Sequence, residues 1–168
     1  MKKNIVFLFV GASLPLLAGF LFIKMGGMPV ATKGNPLPLE KYLAKSALHA
    51  AMRGEVGRKA TIPTDESGLR AGAKIYGMHC AVCHGFPNEK PTAIAKGLFP
   101  RPPQLLPPKK GVTDDPEGEI FWKVKNGIRL TGMPGFQDSL SDQEMWQVSL
   151  FLLNADRLPV GILESVQK

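Results

Sequence analysis

The chain of 168 residues predicts an all-α fold behind an N-terminal apolar helix, and three observations carry that expectation. No stretch alternates apolar and polar residues over the length of a strand. Three segments instead pair helix-start residues with apolar positions three and four apart. Ahead of them, Ile5 to Ile23 is a run of 19 residues without a charge.

That run spans about 28 Å at ~1.5 Å per helical residue, close to the thickness of a bilayer core. Lys2 and Lys3 precede it, which predicts a cytoplasmic N-terminus and everything after Lys24 outside. Gly11, Pro15 and Gly19 do not forbid a helix there. The pairs available for signal cleavage, Leu16 with Ala18 and Pro29 with Ala31, match poorly, and the run exceeds a signal core of roughly 7 to 15 residues. Residues 1–24 therefore read as a single-pass anchor in a bacterial inner membrane, with the main domain on the periplasmic or outer face. The alternative is a soluble periplasmic product of signal cleavage.

Residues 25–63 read as a linker with an accessory helix. Gly34 to Pro38 breaks regular structure. Leu39 to Met52 then places Leu39, Tyr42, Leu43, Ala47 and Met52 roughly on one side. The main domain is expected over 64–160, with a tail at 161–168. Thr64 is a candidate cap for a helix over 65–77 whose apolar stripe is Leu69, Ala73 and Tyr76. Asp115, then Pro116 at the first helical position, opens a second helix bearing Ile120, Phe121 and Val124 and ending near Gly127. Ser141 with Glu144 forms a capping box ahead of Met145, Val148 and Leu152, for a third helix to about Leu153. Five prolines between Leu98 and Lys110 predict an extended loop.

The net charge of +7 does not point to nucleic acid. Residues 1–59 hold nine Lys/Arg against two acidic residues, while residues 60–168 hold twelve of each sign. The basicity belongs to the N-terminal flank, where it suits anionic headgroups or a solvated tether, and no aromatic-basic interleaving accompanies it.

Chemistry concentrates at Cys80-Ala81-Val82-Cys83-His84. Two thiols on one turn followed by an imidazole are what covalent haem attachment needs: each thiol forms a thioether with a haem vinyl group, and His84 stands as an axial ligand. A zinc site would need four ligands and finds no second knuckle. A thioredoxin-type dithiol would sit beside a strand-helix-strand pattern. A plain disulfide remains open and leaves His84 unexplained.

A second iron ligand is available in Gly127-Ile128-Arg129-Leu130-Thr131-Gly132-Met133-Pro134-Gly135-Phe136, where glycine and proline hold Met133 in a loop. Its thioether is a soft ligand that favours ferrous iron. Met145 reads as core and Met78 lies too near Cys80 to reach the opposite haem face. His49 reads as a structural or exposed residue of its helix, with a role as alternative iron ligand ranked far below, and His79 reads as a surface or loop residue.

These motifs, with the closing helix that bears Trp146 and Phe151, resemble a monohaem class I c-type cytochrome over about residues 64–159. The resemblance implies a cytochrome c-like haem domain. It implies Gly72 and Tyr76 of the first helix crossing Val148 and Phe151 of the last. It also implies a proline carbonyl, best matched by Pro103, accepting a hydrogen bond from His84. Candidate pocket walls are Phe99, Leu105, Trp122, Ile128 and Phe136, and Arg101 or Trp122 is a candidate donor to a haem propionate.

The expected function is one-electron transfer through one covalent haem c, bound by Cys80, Cys83, His84 and Met133, with His84 and Met133 on the iron. The expected partners are redox proteins and, through the N-terminal helix, the membrane. No nucleic acid and no small-molecule substrate are expected. A subunit of a membrane or periplasmic oxidoreductase is the alternative. A peroxidase-type enzyme ranks below both, because it needs an open iron position.

Overall fold

In the computed structural model residues 2–159 and 161–164 are described, with side chains from Gly11 onward. Their regular structure is helical, the one β contact among them being an isolated bridge between Ile128 and Met133. The chain divides into two units, Met1–Leu43 and Ala44–Lys168.

In the first unit, α1 (Lys2–Lys24) runs through Pro15 without a break. Among the described residues no helix is long and apolar enough to cross a membrane. The side chains of residues 2–10, which include the first six residues of the apolar run, lie outside the described residues, and the anchor expected over 1–24 is not shown. Helix α2 (Glu40–Met52) straddles the division between units. Leu39 stands outside it at φ 67°, and Leu37 N–H donates to the Glu40 carboxylate at 2.8 Å. Tyr42 and Leu43 are exposed, and Met52 alone of this helix is buried. The expected one-sided packing is thus confined to its last residue.

The second unit begins well before Thr64. The guanidinium of Arg58 lies 4.5 Å from the centre of the Phe121 ring, and Lys59 pairs with Glu117 at 3.1 Å. A side-chain carbon on Gly118 would strike the backbone of Glu55. Segment 52–62 is therefore built into the core around Phe121 and Trp146, whose rings stack at 4.1 Å.

Helix α3 (Glu66–Ile75) is capped by Asp65 rather than Thr64, since the Asp65 carboxylate accepts from Gly68 N–H at 2.7 Å and from the Ser67 hydroxyl at 2.9 Å. A one-residue shift of cap leaves the stripe intact, and Leu69, Ala73 and Tyr76 are buried. The helix does not simply end near 77. It widens into a π-turn over Tyr76–Cys80 and continues as the single turn α4 (Ala81–His84). Helix α5 (Ala93–Gly97) is a short addition capped by Thr92.

Helix α6 (Glu117–Asn126) has Pro116 as its cap residue rather than its first helical residue, and it stops at Gly127, φ 66°. Asp115 pairs with Lys123 at 2.9 Å instead of capping. Helix α7 (Asp142–Leu153) carries the full Ser141/Glu144 capping box. Helices α3 and α7 cross where Gly72 faces Gln147 and Phe151, and the Tyr76 and Phe151 rings lie 5.6 Å apart. Within the tail expected over 161–168, Ile162 is buried in the core; residues 165–168 lie outside the described residues.

Candidate functional site

The π-turn and α4 carry both cysteines and His84 on five consecutive residues, and all three line one cavity of about 160 Å³ together with Met133. Four side chains assembled from two distant segments thus meet around a single space. Leu98, Leu105, Val124, Ile128, Phe136 and Leu152 make its wall predominantly apolar. Cys80 and Cys83 are free thiols. Burial pushes the Cys80 thiol up to about 12, with the charge of Cys83 adding to it.

His84 Nδ1 lies 2.8 Å from the Pro103 carbonyl. A carbonyl only accepts, so this contact requires a proton on Nδ1 and leaves Nε2 as the free electron pair. Burial holds the imidazole below its ordinary value of 6.5, partly opposed by the Pro103 carbonyl. The neutral form that ligates metal is favoured. The Tyr76 hydroxyl donates to the Gly85 carbonyl at 2.6 Å, tying the residue after His84 to the start of the π-turn. Burial raises the Tyr76 phenol above its ordinary value, so it remains a donor.

Met133 is held by a small hydrogen-bonded loop. Ile128 N–H donates to the Met133 carbonyl at 3.1 Å. The Thr131 hydroxyl donates to the Ile128 carbonyl at 2.7 Å and accepts from Met133 N–H at 3.2 Å. Gly127, at φ 66°, lets the end of α6 pack against Met133 and Pro134, where a Cβ would meet backbone. The loop tip is Leu130, at φ 63° and 92% exposed.

Leu105, Ile128 and Phe136 line the cavity as expected, but Phe99 and Trp122 do not. Successive residues of extended chain point to opposite sides, and Leu98 takes the place assigned to Phe99. On α6 the inward residue is Val124, one turn from Phe121 and well rotated from Trp122. Arg101 lines the cavity, whereas Trp122 loses its role as a candidate donor there. His79 is exposed yet also lines it, with its ring 5.9 Å from that of Phe136; its position next to Cys80 was the available signal. His49 is exposed and away from the cavity. Met145 is core and Met78 is exposed. Among the described residues no cluster of three or more His, Cys, Asp and Glu gathers to hold a metal ion.

A family model described as cytochrome c oxidase, cbb3-type, subunit III, matches residues 67–152, half of the chain. The chain belongs to this family of c-type cytochromes. It is an electron-transfer domain whose family implies haem c and redox partners. The donor set fits that group: two thiols one turn apart, an imidazole with a free Nε2 and a thioether, all on one apolar cavity. The cytochrome is similar to a quinohemoprotein alcohol dehydrogenase of Pseudomonas putida, ADH-IIG, at 25% identity over 85% of this chain and 18% of the relative. A second such enzyme of that organism, ADH IIB, is 30% identical over 52% of this chain and 11% of the relative. The cytochrome c subunit of an alcohol dehydrogenase (quinone) from Gluconobacter oxydans is 32% identical over 49% of this chain and 17% of the relative. The chain thus spans less than a fifth of the length of each.

Proposed function

We propose that this cytochrome carries one electron at a time on a single haem c, attached covalently through Cys80 and Cys83 and ligated by His84 and Met133. The observation that supports the reading is the meeting of those four side chains on one apolar cavity, with His84 Nδ1 committed to Pro103. When bound, haem iron supplies a one-electron ferric/ferrous couple. The chain orients the two ligands. Pro103 selects the His84 tautomer, and Thr131 with Gly127 fixes the loop that presents Met133. Leu98, Leu105, Val124 and Leu152 exclude water, which keeps local electrostatics strong. Iron held by both His84 and Met133 would favour outer-sphere transfer over peroxidase-type chemistry.

The same proposal assigns residues 1–24 to export and anchoring, with the haem domain on the periplasmic side of the inner membrane. Lys2, Lys3 and the uncharged run Ile5 to Ile23 support it. A second reading makes the chain a cytochrome subunit of a dehydrogenase complex. It is favoured by the relatives, two of which are named as quinohemoprotein dehydrogenases and one as a cytochrome c subunit.

The test is isolation of the full chain from membranes, followed by mass measurement, redox titration and exposure of the reduced protein to carbon monoxide. One covalently added haem per chain, a single one-electron wave, a sulfur-to-iron charge-transfer band and slow carbon monoxide uptake are expected. Rapid stoichiometric carbon monoxide binding would refute the Met133 assignment.

A further inference from the structure

We infer that Gln104 is a positioning residue for His84: its side-chain amide straps the Pro103 loop onto the haem-attachment segment and so sets the donor strength of the imidazole. The inference rests on the proposed ligation by His84 and deepens it. Three consecutive residues receive or make one tie each. His84 Nδ1 donates to Pro103 O at 2.8 Å, Gly85 O accepts from the Tyr76 hydroxyl at 2.6 Å, and Phe86 O accepts from Gln104 Nε2 at 3.0 Å.

The first and third of these form a two-rung ladder, since Pro103 and Gln104 are neighbours. The other end of the amide is equally committed, with Gln104 Oε1 accepting from Leu106 N–H at 3.0 Å. A carbonyl can only accept and a backbone N–H can only donate, so both contacts require the same orientation of the amide. The side chain lies against Gly85, where a Cβ would come within 3.6 Å of Nε2.

The loop needs such a strap. Among the described residues, Pro100 to Leu105 makes no backbone-to-backbone hydrogen bond, as expected where three of six residues lack an N–H. Its attachments are the buried side chains of Leu105 and Leu106 and the Gln104 amide. The amide ties the residue next to Pro103 to Phe86, two residues from His84, and so holds the Pro103 carbonyl toward the imidazole. A hydrogen bond at Nδ1 makes the ring a stronger donor at Nε2, which stabilises ferric over ferrous iron. Loosening it raises the reduction potential.

The test compares the wild-type holoprotein with Gln104→Met, similar in volume but without amide atoms, and with Gln104→Ala, which removes the side chain. Redox titration and hydrogen exchange of the His84 Nδ1 proton by NMR are the readouts. Thr92→Val serves as control, because it breaks the neighbouring Thr92–Val82 tie without touching the strap. The expected result is an upward shift of midpoint potential and faster Nδ1–H exchange in both Gln104 variants, the charge-transfer band being retained, with Thr92→Val at the wild-type values. Wild-type potential and exchange in the Gln104 variants would overturn the inference while leaving the ligands standing. A wild-type spectrum without histidine–methionine ligation would overturn the ligand reading itself, and the inference with it.

Discussion

Gly72 meets the backbone carbonyl of Gln147 so closely that a single added carbon would occupy the same space, and that carbon would also come within 2.8 Å of the Phe151 Cβ. Backbone cannot yield as a flexible side chain can. Gly72→Ala should force α3 and α7 apart and cost about 3 kcal/mol, the upper end for overpacking a core. Chemical denaturation of the holoprotein measures it. A loss below roughly 1 kcal/mol would show that the helices slide apart cheaply.

Thr131 joins Ile128 and Met133 across the loop proposed to present the second iron ligand. Thr131→Val keeps the shape and removes both bonds. The charge-transfer band should weaken and carbon monoxide uptake by the reduced protein should quicken, while Thr131→Ser restores both. Equal behaviour of the valine and serine variants would assign the loop geometry to its glycines alone.

Asp65 caps α3, and the hydrogen bond from Gly68 N–H, followed by that from Ser67, holds its carboxyl below the ordinary value of 3.8. The folded form therefore binds its proton less readily than the unfolded chain. Its contribution is present above that value and is lost as pH falls through the folded one. Asp65→Asn keeps the cap acceptor without the charge, so wild type should lose more stability than the variant on acidification from about pH 5 to pH 3. Parallel curves for the two would remove Asp65 from the acid response.

Arg58 lies over Phe121 and pairs with Glu55 at 3.1 Å. Arg58→Met keeps the apolar stem and discards the cation. A loss of about 1 kcal/mol is expected from the cation–π contact, read as a lowered denaturation midpoint. No loss would mean that segment 52–62 is held by Lys59–Glu117 and its apolar contacts.

Local chemistry at fixed spacing was legible in the sequence: the Cys80–His84 motif, the Ser141/Glu144 box, the stop at Gly127 and the apolar stripe of α3. In each, the partners sit within a turn or so of one another, so backbone geometry alone brings them together. The loop position of Met133 was legible for a related reason, because glycine and proline mark that loop.

Only the tertiary structure decided which distant groups meet. That Val124 and not Trp122 faces the cavity, that Gln104 ties the Pro103 loop to Phe86, that Arg58 lies over Phe121 and that Ile162 joins the core all depend on contacts between separate segments. Such contacts are selected by packing and by the cost of closing the loops between them, and no spacing in the chain encodes either.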